Sequence, residues 1–511
     1  MITSKFIEDS SLPVLSWCAQ FEKQSNALTI RHGSGVDVIG NGFVEGAWDG
    51  QFSDFDFIDS SVMCGTGGTV SSDEARFIAS THRLNPIVSI EKAGVIYLSN
   101  SIMFVLTAAG EDLDPIYPYY PYDLIKIWRQ GDHCPAGEVP LSSQNKLRFH
   151  FGALITIQSG GDIQYDFPYA GEEPSDYQEY HATLSQKVKQ VVANAQDPAR
   201  KIQFEPIAAL TQGYDSSATC ILAKEAGCED TFCIADSLLS NPSLDTGEEN
   251  AQRLGMNYSE VDRWDFNSLP YERTAELSLF SLSSYAPVAA AEELLNNRLF
   301  ITGHRGDLVW DIGKIQAHKN LEHTWARFLS GVNMMEYRLR VGFCILSPAT
   351  ILERHTEAID RISRSDEMKP WSVDNRYNRP IARRIIEEGG LPRGTFAGKK
   401  IGTGHYNFRY SKKDTTPFMI HYGEFLKQSH ANVPWTKRAY WKARHWIDDI
   451  HWRKLSSDKA KHIRSTPQQR RSPFVYNVSP LKARWHSSFT LQWAFSILKD
   501  RYSFNPSSQD E

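Results

Sequence analysis

Strand-like and helix-like segments alternate between residues 204 and 262, and this alternation constrains the fold more than any other feature of the sequence. Short apolar or β-branched runs at 204–210, 230–236 and 258–262 are typical of buried strands. Helical segments at 216–226 and 247–254 separate them, and each is followed by a glycine, as expected at a helix end. Strands that alternate with helices form parallel sheets, so we predict a doubly wound α/β domain whose ligands bind beyond the carboxyl ends of the strands.

The N-terminal third of the chain has a different pattern. Runs of apolar and β-branched residues at 95–100 and 153–159 predict short strands, and helical segments are sparse. An amphipathic helix is predicted at 176–195, just before the alternation begins. We therefore predict an α+β, mostly strand domain over residues 1–168, and the α/β domain with a helical C-terminal part over residues 169–511.

Cysteine usage and hydropathy limit the class of protein. The seven cysteines are an odd number and include no C-x2-C pair, which argues against a disulfide framework and a structural zinc site. No segment approaches the roughly 18 consecutive apolar residues of a membrane-spanning helix. The first residues also lack the basic and apolar regions of a secretory signal. We expect no membrane span and a reducing, cytoplasmic compartment.

The turn at 210–217, Leu-Thr-Gln-Gly-Tyr-Asp-Ser-Ser, joins the first strand of the alternating region to its helix. Small and hydroxyl side chains there let main-chain N–H groups approach a phosphate, and the helix dipole favours the anion. Asp215 would repel a phosphate directly, but it suits a Mg²⁺ ion that bridges the carboxylate and the phosphates. Asp and Ser are also common N-caps, so a structural role at the helix start is the alternative.

A second polar turn follows a predicted strand at 298–301 and contains Gly303, His304, Arg305 and Asp307. Asp307 can supply a second carboxylate to the same metal ion, although Gly and Asp are usual in any turn. An unperturbed imidazole has a pKa of about 6.5, so His304 suits a general base, or else it bonds to its own turn. Arg305 can bind a carboxylate or a phosphate, or lie in solvent on the surface.

A lysine pair follows the last predicted helix of interest. Residues 380–388 predict a helix with proline in its first turn and glycine at its end. Lys399 or Lys400 can reach the α-phosphate of a nucleotide and stabilise the charge that develops as pyrophosphate leaves. A lysine pair by itself is more usually part of a solvated loop.

These three segments together resemble the motifs of the asparagine synthetase-like family of ATP-pyrophosphatases, over nearly half of the chain. The turn at 210–217 resembles the SGG-x-DSS pyrophosphate loop, with Gln212 in place of a glycine. The turn that begins at Thr302 resembles L-S-G-x-G-x-D-E, with Leu308 in place of the glutamate. The segment at 377–402 resembles the family's helix, its stop and its essential lysine.

The resemblance implies a carbon–nitrogen ligase that joins a substrate carboxylate to an amine or ammonia and forms AMP and pyrophosphate, with ATP and Mg²⁺ as cofactors. It implies that Lys400 is catalytic, with Lys399 as the alternative if the alignment shifts by one residue. His304 would handle the proton of the attacking amine, where asparagine synthetases carry Glu, β-lactam-forming relatives Tyr and lasso-peptide cyclases His. Nucleotide and pyrophosphate binding falls to Thr211, Gly213, Asp215, Ser216, Ser217, Asp236, Ser237 and Gly303, and the metal to Asp215 and Asp307.

The first domain lacks the residue that starts glutamine hydrolysis. Glutamine-using members of the family carry a catalytic cysteine directly after Met1, but this chain carries Ile2, and its nearest cysteine is Cys18. Residues 76–110 loosely resemble later strands of the family's amidotransferase domain. The resemblance therefore implies an Ntn-hydrolase-like sandwich that does not hydrolyse glutamine, as in the β-lactam synthetase and lasso cyclase relatives. The nucleophile would be free ammonia or, preferably, an amine on the substrate.

A basic, tryptophan-rich region extends from residue 431 to residue 501 and contains 15 Lys or Arg against 4 Asp or Glu. Trp441, His445, Asp448 and Trp452 share one face of a predicted helix. Such a face is typical of a helical layer packed on the α/β domain. It also suits a surface for an anionic partner, such as an acidic peptide, a polyanionic glycan or membrane headgroups. We do not expect nucleic acid, because no recognised motif is present.

Two other functions stay open at this point. One is asparagine synthesis with ammonia or with a partner glutaminase. The other is a non-catalytic relative that binds a nucleotide or a partner protein, which the departures at Gln212 and Leu308 favour. Thiolation by an ATP-pyrophosphatase is disfavoured because the chain lacks paired cysteines.

Overall fold

The computed structural model describes residues 1–121, 123–124, 127, 137–168, 170–238, 246–279, 285–313, 329–373, 377–398, 411–430, 434–437, 439–440, 443, 446–447 and 489–503. These residues form a mixed α/β structure, as predicted, with 18 strands in three sheets and 12 α-helices. No helix within this part of the chain has the length and apolar character needed to cross a membrane.

Two sheets occupy the N-terminal part. Their strands are β1 Thr3–Glu8, β2 Trp17–Glu22, β3 Ala27–His32, β4 Asp37–Ile39, β5 Gly42–Trp48, β6 Met63–Val70, β7 Glu74–Ile78, β8 Ile87–Lys92, β9 Val95–Ser99, β10 Gly137–Pro140, β11 Lys146–His150, β12 Leu154–Gln158 and β13 Ile163–Asp166. The first sheet has the order β1-β3-β2-β9-β8-β11-β10, and the second has the order β13-β12-β7-β6-β5-β4. Strands β1 and β3 pair in parallel, while β2 pairs antiparallel with both β3 and β9.

Alternating side chains bury one face of each sheet against the other. Along β3, residues alternate between partly exposed and buried, which is the period expected of a half-buried strand. Trp17 of the first sheet meets Phe43 of the second edge to face, with ring centroids 5.0 Å apart, and it stacks on Phe77 at 6.1 Å. The two sheets therefore form a sandwich with an aromatic core. Helix α1 (Ile102–Ala109) follows β9 and is capped by the Ser101 side chain, which accepts a hydrogen bond from Phe104 N.

A five-stranded parallel sheet forms the second part. Its strands are β14 Glu205–Ala209, β15 Asp230–Ala235, β16 Asn257–Asp262, β17 Arg298–Ile301 and β18 Cys344–Leu346. They lie in the order β16-β15-β14-β17-β18, and every pair is parallel. The chain moves outward from β14 to one side and then returns to add β17 on the other side. The order therefore reverses between β14 and β17, which is where doubly wound folds form a crevice for ligands.

The helices of the second part surround this sheet and dominate its C-terminal region. They are α2 Tyr177–Ala195, α3 Tyr214–Glu225, α4 Glu248–Leu254, α5 Tyr271–Glu276, α6 Glu292–Leu295, α7 Gly306–Val309, α8 Leu329–Val341, α9 Thr356–Ser363, α10 Pro380–Glu388, α11 Pro417–His430 and α12 Thr490–Leu498. Helices α9 to α12 all follow the last strand of the sheet, so the described C-terminal part is helical as predicted.

Local signals in the sequence account for several helix ends. Helix α2 begins with Asp176, whose carboxylate accepts from Glu179 N, while the Glu179 side chain accepts from Ser175 N. Helix α10 has Pro380 in its first turn, as predicted. Helix α3 begins at Tyr214 rather than at residue 216, because Gly213 is its N-cap.

Buried charges join the sandwich to the α/β part. Arg338 of α8 donates two hydrogen bonds to Glu45 of β5, at 2.7 and 2.8 Å, and both side chains are almost fully buried. Lys187 of α2 contacts Asp49 at 2.5 Å. The two parts are therefore packed on one another, and the division at residues 168 and 169 stays a prediction.

Candidate functional site

The loop between β14 and α3 is closed by its own hydroxyl groups. Gly213 N donates to Thr211 Oγ1 at 3.0 Å, and Thr211 Oγ1 and Ser216 Oγ share a hydrogen bond of 2.9 Å. Ser217 Oγ donates to the Thr211 carbonyl oxygen at 3.0 Å. Gly213 is the N-cap of α3 and makes no side-chain hydrogen bond to the first turn of the helix. An uncapped helix N-terminus beyond a parallel strand favours an anion.

Asp215 lies inside the first turn of α3 and is not its N-cap. The capping role considered for this residue is therefore wrong. The side chain turns instead toward Arg379, whose Nη1 donates to Asp215 Oδ1. The two residues are distant in the sequence, since 164 positions separate them.

The loop after β17 lies directly against Asp215. A Cβ atom on Gly303 would lie 2.7 Å from the carbonyl carbon of Asp215 and 2.8 Å from Ser216 N. A Cβ atom on Gly306 would lie 2.8 Å from Asp215 Oδ1. Only glycine fits at such distances, because real Cβ contacts are longer. The structure thus brings Gly303 and the Asp307 loop into main-chain contact with the Asp215 loop, at the two strands that flank the reversal of the sheet.

His304 is oriented by contacts on both its side chain and its main chain. Its Nδ1 lies 2.9 Å from Thr302 Oγ1, and its carbonyl oxygen accepts from Ser347 Oγ at 2.6 Å. Its ring centroid lies 6.1 Å from that of Tyr285. Because Thr302 belongs to the same turn, the Nδ1 contact keeps open both interpretations of His304, a general base and a residue bonded within its turn. The residue is partly exposed.

Arg305 is buried and paired. It adopts a positive φ of 65°, its side chain is 1% exposed, and its Nη2 lies 2.8 Å from Glu353 Oε2. Glu353 also lies 3.9 Å from Arg83 of the sandwich, another residue with positive φ. Burial lowers the pKa of Arg305 despite the neighbouring carboxylate of Glu353. Of the two interpretations from sequence, Arg305 therefore binds a carboxylate, and that carboxylate belongs to the chain itself.

Arg379 is a site residue that the sequence did not predict. Its side chain is 2% exposed, and its Nε lies 3.6 Å from Asp311 Oδ2. Its guanidinium carbon lies 4.5 Å from the centre of the Tyr377 ring. Burial opposes its charge, but Asp215, Tyr377 and Asp307 together raise its pKa above the ordinary value. No short motif marks this arginine, whose only local signal is its place just before Pro380.

Asp236 and Ser237 follow β15 and are bound by neighbouring residues of the same region. Asp236 accepts from Trp264 Nε1 at 2.7 Å and from Arg263 Nη1 at 3.2 Å. Ser237 Oγ donates to Asp262. Both residues lie at the carboxyl edge of the sheet, one strand away from the Thr211 loop. Their contact with adenosine stays a prediction.

Lys399 and Lys400 lie outside the described residues, so their catalytic role stays a prediction. The residue before them is informative, because Gly398 N donates to the Gln212 carbonyl oxygen at 3.2 Å. The same turn is tied to α4, where Asn250 Nδ2 donates to the Thr395 carbonyl oxygen at 2.9 Å. The segment that leads into the lysine pair therefore begins against the Thr211 loop.

The chemistry of Asp215 and Asp307 suits magnesium, but the arrangement around them does not yet offer an open site. Among the residues described, no three His, Cys, Asp or Glu side chains come together as a metal-binding group. Asp215 is bound by Arg379, and Asp307 is near enough to raise the pKa of that same arginine. A magnesium ion therefore fits between these carboxylates only if Arg379 leaves Asp215.

The sandwich contains no activated thiol among its described cysteines. Cys18 is 4% exposed in β2, and burial raises the pKa of its thiol far above the ordinary value. The six cysteines in the described ranges are all buried, and no disulfide joins any two of them. A protonated, buried thiol is not a nucleophile.

The basic region is described only in part. Trp441, His445, Asp448 and Trp452 lie outside the described residues. Trp435 and Trp446 are 77% and 59% exposed, whereas Trp493 of α12 is fully buried and donates to His421 Nδ1 at 3.0 Å. One tryptophan of the region therefore packs as part of a helical layer, and two lie on the surface.

No protein-family model matches this sequence, and no curated protein matches it either.

Proposed function

We propose that this protein is an ATP-dependent carbon–nitrogen ligase that forms an amide, AMP and pyrophosphate. The observation that carries the proposal is the convergence of three segments at one edge of the parallel sheet. Gly303 contacts Asp215, and Gly398 is hydrogen-bonded to Gln212. In the sequence these are the three segments that resemble the asparagine synthetase-like family. The parallel sheet would then be its ATP-pyrophosphatase domain, and the sandwich its Ntn-hydrolase-like domain.

The loop after β14 would bind the phosphates of ATP. The first turn of α3 and the hydroxyl-bearing loop of Thr211 and Ser216 lie beyond the carboxyl end of β14, beside the reversal of the sheet, where ligands of such folds bind. Asp236 and Ser237 would contact the adenosine. Asp215 and Asp307 would hold Mg²⁺, which neutralises the phosphates when it is bound.

The residues around this crevice support two chemical steps. In the first, an oxygen of the substrate carboxylate bonds to the α-phosphorus while the bond from that phosphorus to pyrophosphate breaks. Lys400, or Lys399 in its place, would stabilise the departing negative charge. In the second, the amine nitrogen bonds to the acyl carbon, the carbon–oxygen bond to AMP breaks, and His304 takes the proton that the amine loses. The contact with Thr302 would orient the His304 ring for this transfer.

The amine would come from the substrate or from free ammonia rather than from glutamine. Burial raises the pKa of the Cys18 thiol, so this cysteine of the sandwich is not an activated nucleophile. Buried cysteines that form no disulfide among the described residues also fit a reducing, cytoplasmic compartment. The excess of Lys and Arg over Asp and Glu in residues 431–501 suits an anionic partner, such as an acidic peptide.

A second candidate function is a non-catalytic relative that binds a nucleotide or a partner protein. The pairing of Arg379 with Asp215 favours it, because a guanidinium stands where the metal would be needed. Gln212 and Leu308, which replace family residues, point the same way. Asparagine synthesis with ammonia is a further form of the ligase proposal, and free aspartate as an efficient substrate would identify it.

The experiment is ATP–pyrophosphate exchange with pooled carboxylic acids and radiolabelled pyrophosphate. Wild type is compared with Asp215→Ala and Lys400→Ala, and with exposed-residue controls Asp366→Ala and Lys413→Ala. We expect Mg²⁺-dependent exchange that is lost in the first two variants and kept in both controls. If wild type shows no exchange, titration calorimetry with Mg·ATP tests whether the protein binds the nucleotide at all. Binding without exchange would favour the non-catalytic relative, and no binding would reject both nucleotide-dependent functions.

A further inference from the structure

Arg379 binds the same carboxylate that the proposed function assigns to magnesium. Its Nη1 donates to Asp215 Oδ1, and its Nε lies 3.6 Å from Asp311 Oδ2. The side chain is only 2% exposed, and the guanidinium lies over the Tyr377 ring. Carboxylates and an aromatic ring thus enclose the guanidinium. It is a buried part of the site, not a surface charge that points toward it by chance.

A guanidinium bound to Asp215 opposes the binding of a magnesium ion to the same carboxylate. Mg²⁺ binds carboxylate oxygens at about 2.0–2.1 Å and needs a nearly ideal octahedron of ligands. The Nη1 group already occupies Oδ1, and the positive charge of Arg379 repels a second cation. The two cations therefore compete for the same carboxylate.

We infer that Arg379 excludes divalent cations from Asp215 until a nucleotide arrives, and that Arg379 then releases Asp215 and binds the phosphates. The inference rests on the proposed function, because a polyphosphate is what would draw the arginine away. Planar guanidinium groups form strong paired hydrogen bonds with phosphate oxygens. The uncapped first turn of α3, which carries Asp215, favours the same anion.

The main chain at Arg379 supports a movement of the side chain alone. Arg379 is the N-cap of α10 and precedes Pro380, which restricts the backbone of both residues. Its backbone φ of −133° and ψ of 74° are set by this helix start. The guanidinium can rotate about its side-chain bonds while the helix stays in place. The metal would then enter only together with the nucleotide, and free cations would not load the site in advance.

Mn²⁺ binding measured by electron paramagnetic resonance tests the exclusion without any catalysis. Nucleotide-free wild type, Arg379→Gln, Arg379→Lys and the double variant Arg379→Gln/Asp215→Asn are titrated with Mn²⁺. We expect Arg379→Gln to bind Mn²⁺ about tenfold more tightly than wild type, because the competing buried charge is gone. Arg379→Lys should lie between them, and the double variant should lose the gain. Equal affinities in wild type and Arg379→Gln would overturn the inference.

The arrival of the nucleotide is followed by water-proton relaxation with Mn²⁺ and a non-cleavable α,β-methylene analogue of ATP. We expect wild type to bind the complex of Mn²⁺ with the analogue and thereby to enhance water-proton relaxation. A variant without the Asp215 carboxylate should not show this enhancement. If no variant shows enhancement, the proposed nucleotide site fails, while the nucleotide-free titration still decides whether Arg379 excludes the metal. If the analogue binds wild type equally well without any divalent cation, Arg379 replaces the metal permanently. The proposed release of Asp215 by Arg379 is then wrong. Should Arg379→Gln fail to fold, Arg379→Lys must bind Mn²⁺ more tightly than wild type for the inference to stand.

Discussion

Gly303 lies in main-chain contact with Asp215, so that even a single methyl group between them would lie 2.7 Å from the Asp215 carbonyl carbon. We therefore expect Gly303→Ala to separate the two loops of the site. Overpacking of this kind costs about 1–3 kcal/mol of unfolding free energy. It should also abolish ATP–pyrophosphate exchange, because the Asp307 loop could no longer meet the Asp215 loop. Urea unfolding and the exchange assay check the two effects.

Gly313→Ala is the matched control for this substitution. A Cβ atom there would meet its nearest neighbour, Asp311 Oδ1, at 3.4 Å, which is close to an ordinary van der Waals contact. This variant should keep the stability and the exchange activity of wild type. A Gly303→Ala protein with both properties unchanged would show that the two loops are not held together at this point.

Glu45 and Arg338 form a buried ion pair between the sandwich and α8. Glu45 also accepts from Thr66 Oγ1 at 2.7 Å and from Asn100 Nδ2 at 3.1 Å. Glu45→Gln leaves the charge of Arg338 buried and uncompensated, which costs about 3–5 kcal/mol of unfolding free energy. Chemical denaturation should show this loss.

The double variant Glu45→Gln/Arg338→Met separates the pair from simple packing. Since it removes both charges, it should be more stable than Glu45→Gln alone. The exposed pair of Lys369 and Asp366 serves as the comparison, and Lys369→Ala should leave stability unchanged. If Glu45→Gln is as stable as wild type, the pair does not hold the two parts together.

Glu353 neutralises Arg305 and connects it to Arg83 of the sandwich. We expect Glu353→Gln to loosen the loop that carries His304 and Asp307, because the buried Arg305 loses its carboxylate. Exchange activity should fall about tenfold while the protein stays folded. Circular dichroism and the exchange assay measure this outcome. Glu357→Gln, on the exposed side of α9, is the control and should behave as wild type. Full activity in Glu353→Gln would mean that Arg305 does not position the loop.

His82 makes stability depend on pH. Burial is the main cause that lowers its pKa from the ordinary value of 6.5 to about 3. Between pH 6.5 and pH 3 the unfolded state binds a proton at His82 that the folded state does not. The free energy of unfolding is therefore highest, as far as His82 determines it, above pH 6.5, and it falls as the pH is lowered toward 3. At pH 5 the free energy of unfolding is about 2 kcal/mol lower than at pH 7.5 because of this residue.

The variant His82→Asn should remove that part of the acid sensitivity. Asparagine can still accept the hydrogen bond that Leu84 N now donates to His82 Nδ1 at 3.1 Å. Urea unfolding at pH 7.5 and pH 5 should therefore show a smaller loss in the variant than in wild type. The control His181→Asn, at a partly exposed position in α2, should keep the wild-type difference. A wild-type difference in His82→Asn would assign the acid sensitivity to other groups.

The sequence by itself determined the elements of the fold. The strand–helix alternation predicted β14, α3, β15, α4 and β16, and Pro380 with the following Gly389 predicted α10. These features are local, since hydrophobic periodicity and terminating residues act within one or two turns of chain. The sequence also selected the loops at 211–217 and 302–307, because parallel strands place the residues that follow them at one edge of the sheet.

Only the tertiary structure decided what those loops contact. Arg379 reaches Asp215 across 164 positions, and Arg338 reaches Glu45 across 293. Such contacts depend on the order of strands in the sheet and on how the sandwich packs against it. No short segment of the sequence determines either of these features. The carboxylate that the sequence assigned to magnesium therefore turned out to be bound by an arginine, because burial requires every charge in the site to find a partner within the chain.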